Sequence, residues 1–215
     1  DALIGKILAT LDETGLAENT LVICTTDHGD QMGAHGLLLK GPPPYEETYR
    51  IPLIVRWPGV VAPGTTSDAL VNSMDMAPTI VEMAGCAPFE TQARSMVPLL
   101  RGEPTGEAFD GDFAEFHGQR FFYTQRILWW RRFKYVFNGF DRDELYDLRA
   151  DPHEMHNLWH DARAASGARY PSRHDDSGSL KWPATSYPQS SMIARILSRS
   201  ASSIPTRVGC ARSTG

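Results

Sequence analysis

A short apolar run that stops abruptly constrains this chain more than any other stretch. Leu21-Val22-Ile23-Cys24 passes through Thr25-Thr26 into Asp27-His28-Gly29. An apolar run bounded by polar residues and glycine has the pattern of a buried strand entering a loop. Open α/β sheets place their chemistry at the carboxyl ends of strands, where Asp27 and His28 stand. Aspartate offers a hard anionic oxygen and histidine a neutral nitrogen, so the pair could hold a divalent cation. Lys40, farther along the same loop, could supply positive charge to an anionic substrate. Taken alone, Asp-His-Gly is equally a plain loop after a strand.

The flanks give the run a context. Leu3, Ile4, Ile7, Leu8 and Leu11 fall on one helical face within residues 1–15, and Gly15 is a natural stop. Ala17-Glu18-Asn19 turns the chain into the strand Thr20–Thr26. Gly41-Pro42-Pro43-Pro44 admits neither helix nor central strand. Ile51–Trp57 is expected as a second buried strand, ended by Pro58-Gly59. Ser73 is expected to cap a helix running to Ala84, with Met76, Ile80, Met83 and Ala84 inward and Gly85 closing it. Helices alternating with buried strands give an α/β order.

The texture changes after the Gly/Pro-rich segment 102–111. Short aromatic runs up to Leu148, separated by Gly-Gln, Arg-Arg and Asn-Gly, predict antiparallel strands, with Asn138-Gly139 as a hairpin turn. The expected organisation is an α/β unit over 1–107, a small β-rich subdomain over 108–162, and a low-complexity tail over 163–215.

Composition excludes several classes. With 41% hydrophobic and 22% charged residues, the chain is globular rather than disordered throughout. No apolar run approaches the ~20 residues of a membrane span. Cys24, Cys86 and Cys210 fit neither a zinc spacing nor a disulfide framework, and Cys24 has the setting of a small buried hydrophobe. The net charge is −5, yet from Arg163 onward eight Lys/Arg face two Asp/Glu. Such a basic tail could bind nucleic acid or anionic membrane. Its abrupt, unpatterned Ser/Arg/Pro-rich onset is instead what a frameshifted reading frame would produce, and that is the expectation, ahead of a disordered extension or a binding arm.

Thr26-Asp27-His28-Gly29, Gly33-Ala34-His35-Gly36 and Lys40 resemble a signature block of the sulfatase family, in the alkaline-phosphatase-like superfamily. Tyr45-Glu46-Glu47, Arg50-Ile51-Pro52-Leu53-Ile54 and Trp57-Pro58-Gly59 continue the resemblance. So do Asp75-Met76-Ala77-Pro78-Thr79-Ile80 and Ser95-Met96-Val97-Pro98-Leu99-Leu100-Arg101-Gly102. The blocks Glu144-Leu145-Tyr146-Asp147-Leu148, Asp151-Pro152-His153-Glu154 and Asn157-Leu158 close it in family order.

The resemblance implies the C-terminal part of an alkaline-phosphatase-like α/β sandwich, a small antiparallel β-rich subdomain and a disordered tail. It implies metal-dependent hydrolysis of a sulfuric ester in the intact protein, with a phosphonate or phosphate ester hydrolase as the alternative. Asp27 and His28 would bind a divalent cation, calcium first, with manganese or magnesium as alternatives because His28 adds a nitrogen ligand. Lys40 would contact the sulfate, and His35 and His117 are further substrate candidates. The family's N-terminal aspartate pair, and its Cys or Ser before x-Pro-x-Arg that becomes formylglycine, are expected outside this chain. Arg169-Tyr170-Pro171-Ser172-Arg173 has the Pro-Ser-Arg end of that block with an arginine where the nucleophile must be.

Without nucleophile and aspartate pair, the chain alone is expected to be inactive and, with apolar faces uncovered, poorly soluble. The expected partner is a small-molecule ester, with no nucleic acid and no membrane. Oligomeric state and localisation, cytoplasmic or periplasmic, are not set by the sequence.

Other residues have simpler readings. His35 is expected mainly to hold its loop, Asp30 to be a solvated acid, and Glu46 and Glu47 to fix the loop to the strand at Ile51 with Arg50 as partner. Trp129 and Trp130 read as core before sugar platform. His153, His156 and His160 lie in the closing segment, away from the family's site.

Overall fold

The computed structural model describes residues 1–118, 123–139 and 141–159. The tail and His160 lie outside the described residues.

Helix α1 (Ala2–Glu13) ends at Gly15, whose φ of 67° is the left-handed value glycine takes without strain. Its apolar stripe forms as expected, but Leu3, Ile4 and Ile7 remain 73%, 48% and 63% exposed. Strand β1 (Val22–Thr25) pairs antiparallel with β2 (Leu53–Arg56), Cys24 lying opposite Ile54. Arg56 reaches back to α1, donating to Asp12 at 3.0 Å.

Two expectations about these strands fail. They are half-buried rather than buried, and Ile54 is 64% exposed, because among the described residues each strand has only the other as sheet partner.

The helix after residue 72 also differs from its expected form. Asn72, not Ser73, is the cap: its side chain accepts from Met74 N–H at 2.8 Å, while its own N–H donates to Asp75 at 3.3 Å. This reciprocal cap closes a single tight turn, Ser73–Asp75, ahead of α3 (Met76–Met83). The inner face carries Thr79, fully buried, while Ile80 is 49% exposed. The Thr79 hydroxyl donates to Asp75 O and accepts from Met96 N–H at 2.8 Å, so it docks the turn of α4 (Val97–Leu100). A polar residue satisfied on both sides takes the inner position from the apolar one.

The aromatic region forms one antiparallel sheet, in the order β3 (Gly111–Phe116), β4 (Gln125–Trp130), β5 (Phe133–Asn138), β6 (Glu144–Asp147). Phe133, Leu145 and Trp159 form its core, flanked by Leu128, Trp130, Tyr135 and Leu158. Asn138-Gly139 opens the β5–β6 connection, as expected. Arg131 makes the tight β4–β5 turn at φ 54°, held by its N–H to Asp110 O at 2.6 Å.

Arg94 joins the two regions. It donates to Asp75 at 2.8 Å, to Asp112 at 2.6 Å, and to the carbonyls of Leu70, Ala108 and Gly111. Asn72 binds the other Asp112 oxygen at 2.6 Å. Burial raises the Asp112 carboxyl above its usual range, while hydrogen bonds from Phe113 N–H and Asn72, and the charge of Arg94, pull the other way. With Asp75 1% exposed, removing the guanidinium strands a buried carboxylate. Arg94→Ala is expected to lose about 3–5 kcal/mol of stability in urea unfolding. Arg94→Lys should recover little, since one ammonium cannot reproduce the fork. A loss under about 1 kcal/mol for Arg94→Ala, the level of an exposed pair, would count against this junction.

Candidate functional site

The loop leaving β1 is seated by its glycine. Gly29 N–H donates to Thr48 O at 2.8 Å, and a Cβ on Gly29 would lie 1.9 Å from Glu47 O. No side chain fits there, which is the physical reason for glycine after Asp27-His28. Thr48 belongs to the short helix α2 (Glu46–Tyr49) and also receives the Gln31 side-chain amide at 2.8 Å. Gln31 is 1% exposed; nothing in the sequence marked it. The carboxylate of Asp30 takes Met32 N–H at 3.1 Å and Lys40 N–H at 3.2 Å, closing the loop at its base. Asp30 is therefore a loop staple, not the solvated acid expected.

This seating brings Asp27, His28 and Lys40 together. His28 Nε2 lies 3.5 Å from Asp27 Oδ2 and 2.5 Å from Lys40 Nζ. An ammonium can only donate, so Nε2 is the acceptor, and Nδ1–H is assigned to Gly29 O at 2.8 Å. That tautomer commits the Nε2 lone pair to Lys40, so the nitrogen could hold a cation only with the Lys40 ammonium turned away toward an anion. Hydrogen bonding to its own backbone N–H, and the His28 backbone N–H at 3.1 Å, hold the Asp27 carboxyl below the usual carboxylate range. The Asp27 side chain is 84% exposed, so its charge faces the cleft at little desolvation cost.

The donor set fits part of a cation site. An anionic oxygen and an imidazole nitrogen are suitable ligands, but among the described residues no group of three or more His, Cys, Asp or Glu could hold a metal ion. The open cleft that Asp27, His28 and Lys40 line also includes Arg50, His117 and Trp129. His117, at the end of β3, contacts Thr124 at 3.2 Å and Glu115 at 3.6 Å. His35 lies elsewhere: at φ 51° it stacks on Tyr45, ring centroids 3.6 Å apart, with Nε2 3.8 Å from Glu47.

Glu46 corrects a further expectation, since its partner is not Arg50. Glu46 Oε1 receives Lys134 Nζ at 3.0 Å and the Trp129 indole N–H at 2.8 Å. Lys134 is fully buried and also meets Glu154 Oε1 at 2.8 Å. Glu154 takes Glu46 N–H at 2.7 Å on its other oxygen. Trp129 thus both lines the cleft and anchors this cluster. Two carboxylates share one ammonium here, and burial raises Glu154 above its usual range against the pull of Lys134.

The family model described as N-sulphoglucosamine sulphohydrolase, C-terminal, matches residues 33–169. The N-acetylglucosamine-6-O-sulfatase of Bacteroides thetaiotaomicron is 34% identical over 173 residues, covering 77% of this chain and 31% of that protein. The structure of BT4656 in complex with its substrate D-glucosamine-2-N,6-O-disulfate superposes with a TM-score of 0.69 at 31% identity, over 76% of this chain and 35% of that one. The phosphonate monoester hydrolase of Agrobacterium radiobacter superposes at 0.67 with 27% identity, over 76% of this chain and 35% of that one. The chain belongs to the sulfatase family of the alkaline-phosphatase-like superfamily, and its α/β fold with antiparallel sheets is that of the family's C-terminal region. It spans about a third of the length of the curated relatives it matches.

One sequence pattern departs from expectation. Ser203-Ile204-Pro205-Thr206-Arg207 spells Ser-x-Pro-x-Arg, although no such block was expected in this chain. It lies outside the described residues, after the metal block rather than before it, in a Ser/Pro/Arg-rich stretch where the spelling arises easily by chance. We give it no role.

Two measurements test this geometry. Gly29→Ala should force Glu47 O away, costing about 1–3 kcal/mol and weakening cation binding by the chain; unchanged stability and binding would contradict the close approach. For Glu154, a raised folded value means its contribution is fully present below the ordinary carboxylate range, about pH 4, and is lost as pH rises through the raised value. Glu154→Gln should therefore gain on the parent chain as pH rises from about 4 to 7 in urea unfolding. Parallel profiles would contradict the shift.

Proposed function

We propose that this chain forms one wall of a pocket that hydrolyses a sulfate ester, as the C-terminal portion of a metal-dependent sulfatase. The observation carrying this reading is the convergence of Asp27 Oδ2 and Lys40 Nζ on His28 Nε2, within 3.5 Å and 2.5 Å. A carboxylate, a neutral imidazole and an ammonium at one point suit a cation beside a tetrahedral anion. A bound divalent cation would supply charge stabilisation at the ester's non-bridging oxygens. Asp27 and His28 would hold it, calcium by preference for oxygen, with manganese or magnesium compatible with the His28 nitrogen.

The remaining work falls to side chains of this chain. Lys40 places its charge on a sulfate oxygen, where charge grows as the ester bond breaks. Its reach is set by Asp30, which holds the Lys40 backbone. His28 keeps its proton on Nδ1, against Gly29 O, so Nε2 stays an acceptor. His117 borders the same cleft and is assigned to the alcohol portion of the substrate. His35, stacked on Tyr45 and close to Glu47, serves the loop rather than the substrate.

A formylglycine nucleophile and further metal ligands are expected from sequence beyond these 215 residues. The polypeptide by itself is therefore expected to be inactive. A phosphonate or phosphate ester is the second reading, favoured by the superposition on a phosphonate monoester hydrolase. Both substrates present tetrahedral oxyanions to the same cation and lysine.

The test uses a protein of the relatives' length that contains this sequence, assayed on aryl sulfate and aryl phosphonate esters. Hydrolysis of the sulfate ester, falling about 10²-fold in kcat/KM on Lys40→Ala, is expected. Failure on both esters, or a Lys40→Ala variant at full rate, overturns the reading; a preference for the phosphonate selects the second one.

A further inference from the structure

The site loop is carried by α2, and α2 is held from behind by a charge cluster around the fully buried Lys134 that no step of the proposed reaction uses. We propose that Lys134 is a positioning residue for Asp27 and His28, acting through Glu46 and the backbone of α2. This deepens, and rests on, the metal-site reading above.

The chain of contacts is continuous. Lys134, on β5, has no exposed side-chain surface and meets Glu46 at 3.0 Å and Glu154 at 2.8 Å. Glu154 adopts φ 52°, an uncommon value for a residue with a side chain, and takes the first N–H of α2, that of Glu46, at 2.7 Å. The Trp129 indole N–H holds the same Glu46 oxygen at 2.8 Å, and its ring lies over the Lys134 ammonium at 5.1 Å. Next along α2, Glu47 O abuts Gly29 and Thr48 O takes Gly29 N–H at 2.8 Å. Gly29 directly follows His28.

Stability alone gives a poor account of such a cluster. A buried ion pair is often no more stabilising than apolar residues of the same volume, because desolvation offsets the attraction. What the cluster does supply is direction. Glu46 is held on its side chain by Lys134 and Trp129 and on its backbone by Glu154, so α2 has one permitted seat against the sheet. The close approach of Gly29 needs that seat, since Glu47 O leaves no slack. Partners that orient metal ligands typically change affinity by about 10- to 100-fold when removed.

The test uses a protein of the relatives' length that contains this sequence, isotope-labelled for NMR. Two signals are followed: Gly29 amide exchange, which needs no cation, and the broadening of the His28 ring by Mn²⁺. In Lys134→Met, Gly29 exchange should quicken about tenfold more than exchange at Ile127 and Val136, and the Mn²⁺ needed to broaden His28 should rise about tenfold. Lys134→Arg, which keeps the charge, should restore part of both. If Lys134→Met does not fold, Glu46→Gln is read by the same criteria.

A folded variant with both signals at parent values overturns the proposal. So does faster exchange at Gly29 matched at Ile127 and Val136, which would mark a merely structural role. If the parent His28 ignores Mn²⁺ while Gly29 still loosens in Lys134→Met, the metal-site reading fails and the positioning role stands.

Discussion

The contact between Gly29 and the backbone of Glu47 and Thr48 is the constraint on which the site depends. It is a fit between main chains, with a would-be Cβ 1.9 Å from a carbonyl oxygen, so neither partner can be softened by a rotamer change. One side of the contact fixes where β1 delivers Asp27 and His28. The other fixes α2, and through Glu46 it extends to Lys134 in the second sheet. The half-buried β1–β2 pair has little apolar packing to hold its loop in place. Hydrogen bonds and one ionic cluster supply the precision that a dry core would supply elsewhere.

The two charged clusters follow opposite electrostatic logic. Asp27 is exposed and its carboxyl lies below the usual range, so it stays an anion available to an incoming ligand. Glu154 is buried and its carboxyl is raised, so its charge is kept only by the partner beside it. The first arrangement suits exchange with solvent and ligand; the second suits a fixed joint. Arg94 with Asp75 and Asp112 is a second joint, tying the turn before α3 to the start of β3.

What the sequence made legible was local. Asp27, His28 and Lys40 stand within fourteen positions, and the chemistry of their side chains is apparent from their types. The antiparallel sheet was legible because alternating aromatic runs and Asn138-Gly139 are local signals too. The joints were not. Glu46 lies 88 positions from Lys134 and 108 from Glu154, and no periodicity links residues so far apart. Arg50, four positions from Glu46, was the nearer cation on the line and the wrong one in space. The helix face failed for a related reason: Ile80 outranks Thr79 in hydropathy, but the Thr79 hydroxyl accepts from Met96 N–H, which an isoleucine would leave without that partner. Hydropathy does not register a polar group whose partners arrive from elsewhere in the chain.

The same distinction bears on substrate choice. In the proposed reading, Lys40, Asp27 and His28 would recognise features common to sulfate and phosphonate esters, namely a tetrahedral centre and negative oxygens. Sulfate and phosphonate monoesters each carry a single negative charge, so the field of the completed pocket would favour both and discrimination would fall to its shape. Arg50 and His117 border the cleft on this side and would add to that field. At the rim of the cleft, Trp129 is already committed through its indole N–H to Glu46. Trp129 therefore ties the rim of the cleft to the Glu46–Lys134 cluster behind α2.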